Sequence, residues 1–141
     1  MTDQQAYNRN LIEEFRASRA ANPNGAPLEG RPLVLITTTG AKSGHPRTTP
    51  LMYIPDGDRL LIIASNIGAP VHPAWYHNLV AHPDVTVEVG ADTFEAIATV
   101  LEGAERQQVW ARIVEQYPFF AEHQAKTSRA IPLVALARRS S

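Results

Sequence analysis

Six short segments with the residue pattern of β-strands limit the folds open to this chain more than any other feature. They cover residues 32–39, 47–54, 59–65, 84–89, 93–101 and 131–137. Val85, Val87 and Val89 alternate with two polar residues, so one face of the fourth segment is apolar. Turns connect most neighbouring segments, and short antiparallel strands curl readily because closure removes exposed sheet edges. The pattern predicts a mainly β chain with helices (α+β), whose six antiparallel strands form a barrel.

Three further segments have helical spacing, at residues 4–20, from Pro73 to before Pro83, and at residues 103–117. They do not alternate regularly with the strands, which argues against a doubly wound parallel sheet. A cluster of proline, glycine and asparagine at residues 22–27 ends the first helix. We therefore predict an N-terminal helix and linker at residues 1–25 and a barrel domain at residues 26–141.

Composition removes several classes of function. A chain of 141 residues fits one domain, and the absence of cysteine excludes disulfides and thiolate chemistry. A net charge of −1 gives no general support for nucleic-acid binding. His72, His77 and His82 are spaced by five and do not share a helix face, so no metal site is expected. No secretory signal is visible at the N-terminus, and a cytoplasmic location is expected.

The segment from Thr39 to Thr49 is the most informative part of the sequence. It is a glycine-containing turn whose cations and hydroxyls suit a phosphate, because several donors can converge on one anion. The cations are Lys42 and Arg47, and the hydroxyls belong to Ser43, Thr48 and Thr49. A basic, solvated hairpin turn is the alternative. A Walker A loop is excluded, because Ile36 and Ala41 stand where that motif requires glycine.

A second segment crowds Trp75, Tyr76, His77 and Asn78 onto about one helical turn. A flat heterocycle needs an apolar floor and a few donors at its polar edge, and this segment has both. Packing of the two large aromatic side chains into the core is the alternative. No serine nucleophile elbow or paired carboxylates are present, so a function in which a bound cofactor carries out the chemistry is favoured.

Taken in order, these segments resemble the deazaflavin-dependent nitroreductase and quinone reductase family of actinobacteria. The resemblance runs from about Leu33 to Leu136. The motifs that carry it are Lys42-Ser43-Gly44, Arg47 to Tyr53, Ala64-Ser65-Asn66, and His72-Pro73 followed by Trp75 to Leu79.

This resemblance implies an FMN-binding-like split β-barrel that binds coenzyme F-420, an 8-hydroxy-5-deazaflavin, rather than FMN. It implies that the phosphate and polyglutamate end is held by Lys42, Ser43, Gly44 and Arg47. It also implies that the deazaflavin and its linker are bound by Thr48, Thr49, Pro50, Leu51, Met52, Tyr53, Ala64, Ser65, Asn66, Ile67, Trp75, Tyr76, His77, Asn78 and Leu79.

The acceptor pocket is carried less directly by the resemblance. Tyr117, Phe120 and His123 occupy a region that resembles a set of tyrosines in relatives that reduce nitroimidazoles. Phe120 and His123 depart from that pattern, which puts nitroimidazole activity in doubt. Together with Ser65, these residues are the candidates for a proton donor or for the acceptor pocket. For Tyr117, Phe120 and His123, the alternative is that they form a helix face that packs on the barrel.

The resemblance implies an oxidoreductase that transfers a hydride from reduced F-420 to a small organic acceptor, such as a quinone, an enone or a nitroaromatic. An FMN-dependent oxidoreductase on the same barrel and a non-catalytic deazaflavin storage protein are the alternatives. A homodimer is expected. The N-terminal helix, through Tyr7, Leu11 and Phe15, would dock on the core, close as a lid, or contact lipid at the inner face of the membrane.

Overall fold

The computed structural model describes residues 3–21, 33–65, 68–90 and 92–139. Asn66, Ile67 and the side chain of Tyr7 lie outside this description, as does the linker at residues 22–25. The helices are α1 (Asp3–Ala21), α2 (Ala74–Ala81), α3 (Gly103–Gln116) and α4 (Phe119–Ala125). The strands are β1 (Leu33–Thr39), β2 (Pro46–Met52), β3 (Ile54–Asp56), β4 (Arg59–Ile63), β5 (Asp84–Val89), β6 (Asp92–Val100) and β7 (Leu133–Arg138).

The strands form one sheet in the order β2-β1-β5-β6-β7-β4-β3, and every neighbouring pair is antiparallel. The two edge strands, β2 and β3, follow each other along the chain and are separated only by Tyr53. A sheet whose edges are joined by one residue must curl until those edges meet. The predicted α+β split barrel is confirmed, and its curl follows from this connection.

The predicted number of six strands is wrong by one. The segment at residues 47–54 divides at Tyr53, because Met52 pairs with Leu33 at one edge whereas Ile54 pairs with Leu61 at the other. Pro55 lies in the edge strand β3, where a missing N–H costs no hydrogen bond of the sheet. A strand propensity pattern cannot show that the pairing partner changes in the middle of an apolar segment.

Two apolar clusters hold the domain together. The first lies within the curled sheet and includes Val34, Ile36 and Val87 together with Trp75 and Leu79 of α2. The second joins the sheet to α3 and α4; it includes Ile54, Leu61, Val109, Ile113 and Phe120. The alternating valines predicted to face inward do so, since Val85 and Val87 are buried.

The helices differ from prediction in one respect. Pro118 ends the predicted helix at residues 103–117 but also begins α4, a helix that the sequence analysis considered only as the alternative reading of Tyr117, Phe120 and His123. Proline ends a helix because it has no N–H to donate to the preceding turn, and it can begin a helix because that N–H is not needed in the first turn. None of the described helices is long and apolar enough to cross a membrane.

The N-terminal helix α1 packs against β2. Phe15 is buried, and Arg16 forms an ion pair with Glu88 of β5 at 2.8 Å. Of the roles considered for this helix, docking on the core is therefore observed. The boundary between residues 25 and 26 stays a prediction.

Candidate functional site

The turn between β1 and β2 is shaped by its two glycines. Gly44 has a φ of 73°, in the left-handed region that favours glycine. A Cβ on Gly40 would lie 2.4 Å from Oγ of Ser43, so this position also needs glycine unless that hydroxyl moves. Gly40 N–H donates to the carbonyl of His45, and Gly44 N–H donates to the carbonyl of Gly40. The turn is thus closed by its own backbone.

This closure decides which donors remain for a ligand. Ala41 N–H donates to Oδ1 of Asn78, and His45 N–H donates to Oγ of Ser43. Among the described residues, the amides of Lys42 and Ser43 have no protein acceptor, and neither Lys42 nor Arg47 has an ion-pair partner. Two backbone donors and two cations are therefore free on one turn, as an anion site requires.

Asn78 connects this turn to the aromatic helix α2. Its side chain is 9% exposed, and it accepts from Ala41 N–H at 2.9 Å while Nδ2 donates to Oγ1 of Thr38 at 3.2 Å. Both ends of the amide are thus satisfied inside the protein. Asn78 fixes the distance between the basic turn and Trp75.

A cleft of about 1030 Å³ joins the turn and the helix; we call it the turn cleft. One wall is the turn and the start of β2, and another is the first half of α2. The third wall is α1, through Asn8, Arg9, Ile12, Glu13 and Arg16. The remaining residues that line the turn cleft are Gly40, Ala41, Lys42, Ser43, Pro46, Arg47, Thr48, Thr49, Ala74, Trp75, His77 and Asn78.

A second cleft of about 590 Å³, the aromatic cleft, is adjacent to the first and shares Asn8, Thr49, Ala74 and Trp75 with it. Trp75 is 7% exposed, so it belongs to the core and also borders both clefts. The remaining lining residues are Pro50, Leu51, Met52, Ile63, Ser65, His72, Pro73, Phe119 and Phe120. One continuous site results, basic at one end and apolar at the other.

The loop after β4 forms one side of the aromatic cleft. Ser65 is buried, and its carbonyl accepts from Gly68 N–H. Gly68 has a φ of 80°, and a Cβ there would lie 2.7 Å from the carbonyl oxygen of His123. The loop therefore lies directly against the end of α4.

The predicted acceptor trio forms an aromatic cluster with Phe119. The ring centroids of Phe119 and Phe120 lie 4.3 Å apart, and Phe120 lies 6.4 Å from Tyr117 and 5.9 Å from His123. Of the trio, Phe120 lines the aromatic cleft, whereas Tyr117 and His123 line neither of the two clefts; Phe120 is also part of the core cluster at α3 and α4. Packing on the barrel, the alternative reading of the trio, is therefore observed for Phe120.

His123 is a partly buried residue whose Nδ1 atom is shielded from solvent. Its Nδ1 has no hydrogen-bond partner among the described residues. Burial, followed by the charge of Lys126, lowers the pKa of His123 below its usual value, and Glu122 opposes this only in part. The ring is therefore neutral at pH 7.

Most predicted cofactor residues line one of the two clefts. Five do not: Gly44, Tyr53, Ala64, Tyr76 and Leu79. Leu79 and Ala64 are core residues; of the two aromatic side chains for which core packing was the alternative, Trp75 is in the core and Tyr76 is partly buried against it. Asn66 and Ile67 lie outside the described residues. Within the described part of the chain, no group of His, Asp and Glu residues could hold a metal ion.

Sequence reasoning missed the contribution of α1 and of five residues that line the aromatic cleft: Ile63, His72, Pro73, Ala74 and Phe119. The signal from α1 was present, since Arg9, Ile12 and Arg16 lie on one helix face. From the sequence alone, that face cannot be distinguished from a solvated helix surface, because the pattern does not show that α1 lies beside the turn. The fold and site together define a small split-barrel protein with a groove that is basic at one end and apolar and aromatic at the other.

Comparison with known proteins places the chain more narrowly. The family model described as F420H(2)-dependent quinone reductase matches residues 8–138, and the chain belongs to this family. The family resemblance seen in the sequence is thereby confirmed. A relative from Mycobacterium tuberculosis, named F420H(2)-dependent quinone reductase, is 43% identical over 118 residues, which cover 82% of this chain and 76% of the relative.

Two solved structures agree with this placement. One, described as an F420-H2 dependent reductase (FDR-A), is 46% identical with a TM-score of 0.68, over 75% of this chain and 94% of its own. Another, described as a domain-swapped dimer, is 39% identical with a TM-score of 0.70, over 91% of this chain and 98% of its own.

Proposed function

We propose that this protein transfers a hydride from reduced coenzyme F-420 to a quinone. The observation that carries the proposal is the continuous groove from the Lys42 turn past Trp75 to Phe120. A phosphorylated tricyclic carrier with an acidic tail has the same order of properties along its length. Membership of the F420H(2)-dependent quinone reductase family supports the choice of this cofactor and this acceptor.

The residues present suit the cofactor at both of its ends. Lys42 and Arg47, with the free amides of Lys42 and Ser43, would hold the phosphate and the polyglutamate. The hydroxyl of Ser43 accepts from His45 N–H, which leaves its own proton for a ligand oxygen. Trp75 would pack against the deazaflavin. When bound, the cofactor supplies hydride chemistry, because a carbon replaces the flavin N5.

The aromatic cleft suits the acceptor. Leu51, Met52 and Ile63 give it apolar walls, and Phe119 and Phe120 give it flat surfaces against which a quinone ring can stack. Ser65 is the predicted proton donor that lines this cleft, whereas Tyr117 and His123 do not line it. Holding the acceptor and the cofactor at close range accounts for much of the rate enhancement expected of such a site.

The test is direct. Purified protein is titrated with F-420 and with FMN, and oxidation of reduced F-420 is followed with menadione as the acceptor. We expect F-420 binding and menadione-dependent turnover above the protein-free rate. Binding of FMN alone would support the FMN-dependent alternative, and F-420 binding without turnover would support a storage protein. A parallel panel of enones and nitroaromatics measures how far acceptor choice extends beyond quinones.

Two further expectations concern association. The domain-swapped dimer reported for a relative of 39% identity supports a homodimer, which light scattering after gel filtration tests. Contact with the inner face of a membrane is supported by exposed apolar side chains beside the aromatic cleft: Phe119, 39% exposed, lines it, and Val71, 63% exposed, precedes His72. Flotation with anionic vesicles tests that contact.

A further inference from the structure

Arg129, which lies between α4 and β7, is the centre of a polar network behind the aromatic cleft. Its backbone is fixed by Gln124, whose Nε2 donates to the carbonyl of Arg129 at 2.7 Å. Oε1 of Gln124 accepts from Ile131 N–H at 3.0 Å. The segment that carries the guanidinium is thus held to α4 by one side chain.

The guanidinium of Arg129 binds the loop that follows β4. It donates to the carbonyls of Ala64 at 3.2 Å, Ser65 at 2.8 Å and Ala69 at 3.0 Å. No carboxylate partner is present among the described residues. Its planar set of N–H groups therefore holds these three carbonyls at fixed positions relative to one another, which a lysine ammonium could not reproduce.

The fourth contact of the guanidinium fixes the state of His72. Arg129 lies 3.0 Å from Nδ1 of His72, and arginine can only donate. Nδ1 must therefore be the acceptor, which leaves the ring proton on Nε2. Burial, followed by the charges of Arg129 and His77, lowers the pKa of His72. The ring also packs on Tyr76, with centroids 4.7 Å apart, and it lines the aromatic cleft.

We propose that His72 donates a hydrogen bond from Nε2 to the carbonyl oxygen of the acceptor, and that Arg129 is a positioning residue that holds His72 in the required tautomer. This inference rests on the proposed function. When the quinone takes up the hydride, negative charge builds on that oxygen; a proton from solvent then completes the hydroquinone, and F-420 is left oxidised. A neutral imidazole stabilises this charge as a donor and gives up no proton.

Two variants of His72 separate the donor from packing. His72→Phe keeps a ring against Tyr76 but has no donor, whereas His72→Gln keeps an N–H. We expect His72→Phe to lower kcat with menadione by about 10- to 100-fold and to leave the Kd for F-420 unchanged. His72→Gln should recover most of that loss. His82→Phe, at the exposed end of α2 and away from both clefts, is the matched control.

The role of Arg129 has a readout that does not depend on turnover. In protein with 15N-labelled histidine, the imidazole shifts of His72 report which nitrogen carries the proton. We expect the Nε2–H tautomer in the parent protein and a mixture of tautomers in Arg129→Gln, with kcat lowered as in His72→Phe. Arg139→Gln, which removes an exposed cation paired with Asp84, should change neither.

The outcomes distinguish the two proposals. If the parent protein neither binds F-420 nor oxidises it with menadione, the proposed function fails, and the tautomer measurement still stands. If the parent protein turns over and His72→Phe keeps full kcat, the donor role is refuted. An equal loss in F-420 affinity and in turnover would also refute it, because His72 would then serve the cofactor site. An Nδ1–H tautomer in the parent protein would refute the role of Arg129.

Discussion

Replacing Lys42 and Arg47 together by alanine tests the anion site most directly. Both side chains are exposed, and neither has an ion-pair partner among the described residues, so the folded protein gains little from their charges. The turn is closed by backbone bonds of Gly40 and Gly44, which the substitution leaves in place. We therefore expect the fold to be retained and the loss to fall on cofactor binding.

The size of that loss follows from the exposure of the two cations. A charge-assisted hydrogen bond contributes about 1.5–3 kcal/mol, and the lower figure applies where solvent reaches the site. Two such bonds give about 3 kcal/mol, which corresponds to roughly 150-fold weaker binding of F-420. Because salt screens these contacts, the parent affinity should fall with ionic strength more steeply than that of the double variant.

The assay is equilibrium titration of F-420 at two salt concentrations, with thermal unfolding measured beside it. Arg112→Ala with Arg139→Ala is the matched control, since it removes two exposed cations that do not line either cleft. We expect that control to bind F-420 within about threefold of the parent, a difference below 1 kcal/mol. Unchanged affinity in the Lys42 and Arg47 variant would show that the anionic end binds elsewhere and would refute the orientation given to the cofactor.

Three further changes probe the scaffold of the site. Asn78→Ala removes the two hydrogen bonds that the Asn78 side chain makes to Ala41 and Thr38. We expect a loss of about 2 kcal/mol in unfolding free energy together with weaker F-420 binding. An unaltered denaturation midpoint would contradict this expectation. Gly68→Ala places a Cβ 2.7 Å from a backbone oxygen at a φ of 80°, so it should lower the unfolding free energy by more than about 2 kcal/mol. Gly57→Ala, at a φ of 64° in open space, should lower it by about 1 kcal/mol. The lowered pKa of His72 means that the unfolded chain binds its proton first as pH falls, so the stability that His72 contributes is full above the unfolded value near 6.5 and decreases as pH falls through the folded pKa. His72→Gln should therefore reduce the fall in melting temperature between pH 7 and 5, and the remaining fall comes in part from His123, whose pKa is also lowered.

The sequence predicted the strands well because each apolar, β-branched segment is itself a local signal. Val85 and Val87 are buried as their alternation indicated. The strand β3 was missed because its identity depends on a change of partner after Met52, which is a property of the whole sheet. The helix α4 was considered only as an alternative, because Pro118 was interpreted as the end of a helix, although proline can equally begin one.

The site was predictable where its residues are close in the chain. The turn at Lys42 and the helix at Trp75 were both identified, but the hydrogen bonds by which Asn78 connects them were not, because its partners lie 37 and 40 residues away in the chain. Arg129 gave no local signal, because the four groups that it binds lie 57 to 65 residues away. The contribution of α1 was likewise hidden, since an arginine such as Arg16 has the same local pattern on a solvated helix as on a cleft wall.

At both ends of the groove, a polar side chain holds an irregular segment by hydrogen bonds to its backbone. Asn78 binds the backbone of the turn, and Arg129 binds the carbonyls of the loop beside Ser65. Irregular segments are costly to order, so a ligand that had to order them itself would bind more weakly. Side chains that satisfy these backbone groups beforehand leave the free amides of the turn and the donor at His72 already in place. Substitutions at Asn78 should therefore weaken binding beyond the loss of its own contact with the ligand, and substitutions at Arg129 should lower turnover although Arg129 lines neither cleft.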